Sequence, residues 1–187
     1  IYHSPYVIQW WSDLHGRKSI AELFRQGRKG EDPVTTYQRL YGLTQQQFCQ
    51  EMLCGYQHLV NFDFKHAREE TRPYACTFDT PLEEDVKGWL RPKDMPEAYG
   101  FNAIRLDERV NLNARSFNVQ LKGKDLLCGF VGVATDGETL YSPVGATTFK
   151  RPKDCRLSHL YLVVMGAPPT HGIEGPFPYS FRVSPKR

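Results

Sequence analysis

The feature that most constrains this chain is a change in the period of its apolar residues near residue 72. Upstream they recur every third or fourth position, the spacing that lines one face of a helix. Downstream they alternate or run together, the spacing of strands. SPYVIQWWSDLHG sets Val7, Trp10, Trp11 and Leu14 at helical intervals, with Ser4 as N-cap, Pro5 at the first helical position and Gly16 as the stop. KSIAELFRQGRKG carries Ile20, Leu23 and Phe24 on one face and closes on Gly27 or Gly30. EDPVTTYQRLYG restarts with Asp32 as N-cap, Pro33 at N1, an apolar face of Val34, Tyr37, Leu40 and Tyr41, and Gly42 as the stop. Thr44 and Gln47 then have capping-box spacing, and the period continues through Phe48, Met52, Leu59, Val60 and Phe62. Four helices joined by short connections predict a small helical bundle over residues 1–72.

Residues 73–187 predict a β subdomain. SFNVQLKG alternates Phe117, Val119 and Leu121, and PFPYSFRV alternates Phe177, Tyr179, Phe181 and Val183. LLCGFVGVAT, ATTFKRP and SHLYLVVMG are strand-like and bounded by turn residues. Asp136-Gly137 is a hairpin signal that sets Val131–Ala134 antiparallel to Thr139–Ser142. DTPLEEDVKGWLRPKDMPEAYG, with its prolines and mixed charge, reads as a long surface connection that leads Tyr99 to Leu106 into the sheet. Strands that follow one another without intervening helices favour segregated layers over a βαβ fold. The expectation is α+β: a small N-terminal helical bundle followed by an antiparallel β-sandwich.

Charge and composition narrow the function. The net charge of +3 arises from 24 cationic and 21 anionic side chains dispersed along 187 residues, without the basic stripe that a nucleic-acid partner would require. No apolar run is long enough for a membrane span. Cys49, Cys54, Cys76, Cys128 and Cys155 contain no C-x-x-C, and read mostly as buried thiols.

Motifs for chemistry are sparse. No H-E-x-x-H occurs among His3, His15, His58, His66, His159 and His171, and no metal site is expected; the pair His58 and His66 lies eight apart, wider than ligands on one helix face usually stand. No nucleophile elbow and no glycine-rich phosphate loop is present. Glu83, Glu84 and Asp85 form an acidic run of the kind that usually marks a solvated loop. Candidate binding residues are therefore aromatic and loop-borne: Trp89 in the proline-rich connection, Tyr141 after the hairpin, and His171 in GAPPTHGIEGPFP, beside Thr170 and Glu174. On an end of a sandwich such residues would suit a glycan or a peptide, although an aromatic placed like Trp89 more often pins its loop to the domain. Trp10 and Trp11, neighbours on a helix, point about 100° apart. One is expected against the sandwich and the other against a domain upstream of residue 1.

WWSDLHG…LFRQGRKGEDPVTTYQRLYGLTQQQFCQEM, then YGFNAIRL and LYLVVMGAP…PFPYSFRV, resemble the C-terminal part of secreted or cell-surface bacterial proteins of the zincin, or zinc-metallopeptidase-like, type. The resemblance implies an accessory or substrate-holding portion, a location outside the cell or at its surface, and an upstream domain of the same protein as partner. Zinc would belong to the longer parent, because the family's metal motif matches no position here. A self-contained carbohydrate- or protein-binding sandwich is the alternative.

Overall fold

A computed structural model describes residues 4–60 and 80–186, with side chains placed for 8–60 and 80–184. Four helices, α1 (Ser4–His15), α2 (Ser19–Gln26), α3 (Pro33–Tyr41) and α4 (Gln45–Val60), precede nine strands. The expected punctuation is present. Asp32 caps α3 by accepting from Thr35 N, Gly42 closes it at φ 66°, and Thr44 and Gln47 exchange hydrogen bonds at 2.9 and 3.2 Å as a capping box. The boundary expected at residue 72, together with Phe62, His66 and Cys76, lies outside the described residues.

The strands are β1 (Leu82–Glu84), β2 (Leu90–Pro92), β3 (Phe101–Arg105), β4 (Ser116–Gly123), β5 (Leu126–Ala134), β6 (Thr139–Tyr141), β7 (Thr148–Lys150), β8 (Leu157–Gly166) and β9 (Tyr179–Lys186). They form two antiparallel sheets, ordered β1-β2-β9-β4-β7 and β3-β8-β5-β6. The Asp136-Gly137 hairpin pairs Val131 with Tyr141 and Val133 with Thr139, as the sequence predicts. The connection before Tyr99 differs from expectation. Its residues fold into the β1-β2 hairpin, which docks on β9 through Leu90 and Phe181. Asp85 makes this possible, since its Oδ1 accepts from Lys87 N at 2.7 Å and Trp89 N at 2.9 Å and so closes the turn.

Three layers result, with two cores between them. Phe117, Val119, Phe149 and Phe181 of the five-stranded sheet meet Ile104, Phe130, Leu160 and Val164 of the four-stranded one. On its other face the four-stranded sheet turns Ala103, Val131, Val163 and Met165 towards Phe48, Leu53, Tyr56 and Leu59 of α4. The helix comes close because Gly129 has no side chain: a Cβ there would stand 2.5 Å from Gln57 Nε2. Buried Gln57 instead donates to Phe130 O at 3.0 Å and Ser142 O at 3.1 Å, pairing carbonyls at the end of the β6 ladder.

The two tryptophans depart from the sequence expectation. Both belong to the helical layer. Trp10 donates from Nε1 to Glu51 O at 3.0 Å and lies against Gly55, while Trp11 stacks on Tyr37 at 4.4 Å. One turn of α4 therefore receives Trp10, and the α3–α4 seam receives Trp11.

Candidate functional site

The structure brings the three sequence-derived candidates to three separate places. Tyr141, at the end of β6, is half-buried and stacks on His58 at 4.2 Å, and His58 in turn stacks on Trp10 at 4.7 Å. That column of rings joins β6, α4 and α1.

His171 stands thirteen residues of α4 away, beside Gln45. Its Nδ1 lies 2.9 Å from the Tyr99 hydroxyl and its Nε2 2.9 Å from Asp32 Oδ1. Gln45 Nε2 donates to the same hydroxyl at 3.0 Å and to Pro168 O at 2.9 Å. Tyr99 holds this place with φ 60°, a conformation that costs a non-glycine residue free energy. Tyr56 Oη donates to its carbonyl at 2.7 Å, and Phe48 packs edge-on to its ring at 5.4 Å. Burial acts to raise the Asp32 carboxyl, but bonds from Thr35 and the charge of His171 outweigh it and hold the group below its ordinary value. Together these contacts tie the loop before β9 to the helical layer. Thr170 and Glu174 are exposed on that loop.

Trp89 lies on the other side of the molecule, at the end of the β1-β2 turn. Lys122 Nζ sits 3.6 Å and Arg182 Cζ 4.6 Å from its ring centroid. The ring is thus engaged by cations from β4 and β9. The Asp85 carboxyl beneath the turn is lowered, first by the Trp89 N–H and then, against burial, by Lys87 N–H and the charges of Arg182 and Lys87.

Arg182 also lines a groove of about 500 Å³ with Glu84, Glu108, Arg109, Gln120 and Ser184. A hollow of about 150 Å³ shares Glu108 and Arg109 with it and continues to Thr80 and Arg105. Among the described residues, no hydrogen bond or ion pair engages the side chains of Glu84, Glu108 or Arg109. Sequence reading found Trp89 and the acidic run containing Glu84. It missed Arg182, Gln120 and Ser184, although their alternation with Phe181, Val119 and Val183 marks them as the solvent side of two strands.

With the groove in place, family comparison adds one fact. Residues 1–183 match DUF6055, described as a family of unknown function. The chain belongs to the DUF6055 family. Neither the curated proteins nor the solved structures include a significant match to this DUF6055 chain.

Other polar groups have structural occupations. Asp107 accepts from Leu160 N at 2.8 Å and pairs with His159 at 2.7 Å and Arg105 at 2.5 Å; burial acts to raise its carboxyl, but these bonds together outweigh it and keep the group low. Cys49, Cys54, Cys128 and Cys155 are free thiols, and burial pushes Cys49 and Cys128 up to about 11, far from thiolate reactivity at neutral pH. Among the described residues no three of His, Cys, Asp and Glu converge as a metal site would need. No helix among them is long and apolar enough to cross a membrane.

Proposed function

We propose that this DUF6055 chain is a substrate-holding module, and that what it holds is a glycan lying on the solvent face of the five-stranded sheet. The observation that carries the reading is the groove itself, with Gln120, Arg182 and Ser184 on its floor and Glu84, Glu108 and Arg109 around it. Sugars are recognised by hydrogen bonds to hydroxyls. This set offers acceptors in the carboxylates, donors in the guanidinium groups, and both in amide and hydroxyl.

An extended peptide suits the groove less well. Strand addition needs a run of unpaired main-chain groups. Beyond Leu90 and Phe181 the β9 edge offers only Val183 before Pro185, which has no N–H to donate. The resemblance to zincin-like proteins extends the proposal: in a longer, exported parent the module would hold substrate for chemistry performed elsewhere in the protein.

Calorimetric titration of a panel of neutral and charged oligosaccharides tests the reading. Binding to at least one class is expected, with affinity lost in Gln120→Ala/Ser184→Ala. No binding across the panel, or binding unaffected in that variant, would overturn it.

A further inference from the structure

We infer that the glycan held on this face is acidic, its carboxylate or sulfate groups paired with Arg182, Arg109 and Lys122. The inference rests on the glycan reading above and specifies its substrate class. It starts from the phase of the strands. The inward positions of β4 and β9 are apolar, and the intervening positions face solvent. Followed across β2, β9, β4 and β7, the outward positions are Arg91; Ser180, Arg182 and Ser184; Ser116, Asn118, Gln120 and Lys122; and Thr148 and Lys150. Four of these are cations and none is a carboxylate. The carboxylates nearest these strands are in the β1-β2 hairpin at the sheet margin, with Glu83 opposite Arg91 and Asp85 in its turn.

Trp89 gives the cations a fixed geometry. Its ring holds Lys122 at 3.6 Å and Arg182 at 4.6 Å, so two long side chains that would otherwise sweep through solvent are gathered beside the groove. That arrangement assigns Trp89 a positioning role: the ring serves the cations and they serve the ligand. A guanidinium presents donors in a planar fork matched to a carboxylate or sulfate, and Arg109 supplies a second fork in the same groove. Glu84 and Glu108 accept from the hydroxyls that such a sugar still carries. Arg109 and Arg182 share the groove with Glu84 and Glu108, so a ligand that carries both anionic groups and hydroxyls, as a uronate polymer does, answers every kind of group present.

The test uses the whole chain and compares oligogalacturonate, a sulfated glycan and neutral xylo-oligosaccharide at low and at physiological salt. The acidic ligands are expected to bind, and more weakly as salt screens the charges. Arg182→Gln is expected to lower acidic affinity about tenfold, the effect of losing one charge-assisted hydrogen bond. Trp89→Leu should produce a smaller loss, with an unchanged melting curve as the check on folding. Binding of neutral xylo-oligosaccharide equal to that of the acidic ligands, or acidic binding indifferent to Arg182→Gln, would overturn the inference while leaving the glycan reading standing. Binding to none of the three would remove the acidic class along with the glycan. Tighter binding of single-stranded oligonucleotide than of any glycan would reassign the face to another polyanion and overturn both.

Discussion

The two sheets share a core yet have opposite second faces. β5 and β8 of the four-stranded sheet are buried nearly throughout, because the five-stranded sheet covers one side and α4 the other. β4 and β9 of the five-stranded sheet are buried only at alternate positions. The first sheet is therefore a structural middle layer, in which a side chain of either phase is constrained by packing. The second has one free phase, where side chains are available to a ligand, and Gln120, Arg182 and Ser184 of the groove lie on it. Position in the layering separates the part of the molecule that stores stability from the part that is free to evolve recognition.

The largest effect expected from breaking this contrast is at Val163, which is fully buried on β8 and faces α4. Val163→Asp buries a carboxylate with no counter-charge, a loss on the order of 4 kcal/mol or more that would unfold most single domains. Gln120→Glu, on the open phase of β4, should change stability by no more than about 0.5 kcal/mol. Urea denaturation of both variants checks the pair. Similar losses for the two would show that the five-stranded sheet is covered as completely as its partner.

Much of this difference was legible in the amino-acid sequence. Phe117, Val119 and Leu121 alternate with polar residues, the mark of a half-buried strand. LLCGFVGV and LYLVVMG run together, as strands do when both faces are covered. What could not be read was the partner of each face. The helical period placed Trp10 and Trp11 on α1, but only the absence of a side chain at Gly55 explains where Trp10 goes. The β1-β2 hairpin was hidden by its prolines and charges, because its turn depends on one carboxylate, Asp85, accepting two backbone N–H groups. The site was dispersed for a similar reason. Arg182, Gln120 and Glu84 come from three strands far apart in the chain, and no local spacing joins them.

A smaller effect tests the helix cover at its closest approach. Gly129→Ala places a methyl group where Gln57 makes its two bonds, so Gln57 must move or break them. The expected loss is about 1–3 kcal/mol, from overpacking and the lost Gln57 bonds, Phe130 O keeping its bond from Ser142 N. Thermal unfolding of Gly129→Ala checks it, with Gly145→Ala as a contrast. Nothing stands near a Cβ at Gly145, where an alanine would be strained only by φ 82°. If Gly129→Ala melts with wild type, α4 is not held to the sheet at this point.

The smallest effect asks whether the helical cover can loosen from the middle sheet by itself. Glu31 accepts from Arg39 at 2.7 and 3.0 Å, and from Arg28 N and the Thr36 hydroxyl, anchoring the entry to α3. The Arg39 bond is the chief cause of its low pKa, about 2 against an ordinary 4.5, and the other bonds and the Arg39 charge add to it against burial. Because the folded value is the lower one, the stabilisation is fully present above about pH 4.5 and is lost as pH falls towards 2. Asp107, in the sandwich, is lowered from 3.8, so its contribution begins to fall only under more acidic conditions. Hydrogen exchange followed from pH 5 to pH 3 should therefore show amides of α3 losing protection before those of β4 and β9. In Glu31→Gln that early loss should vanish, because the side chain no longer titrates, and the helices should exchange somewhat faster even at pH 6. If helices and strands instead lose protection together in both proteins, the three layers open as one unit, and the free phase of the five-stranded sheet is its sole mechanical distinction from the middle sheet.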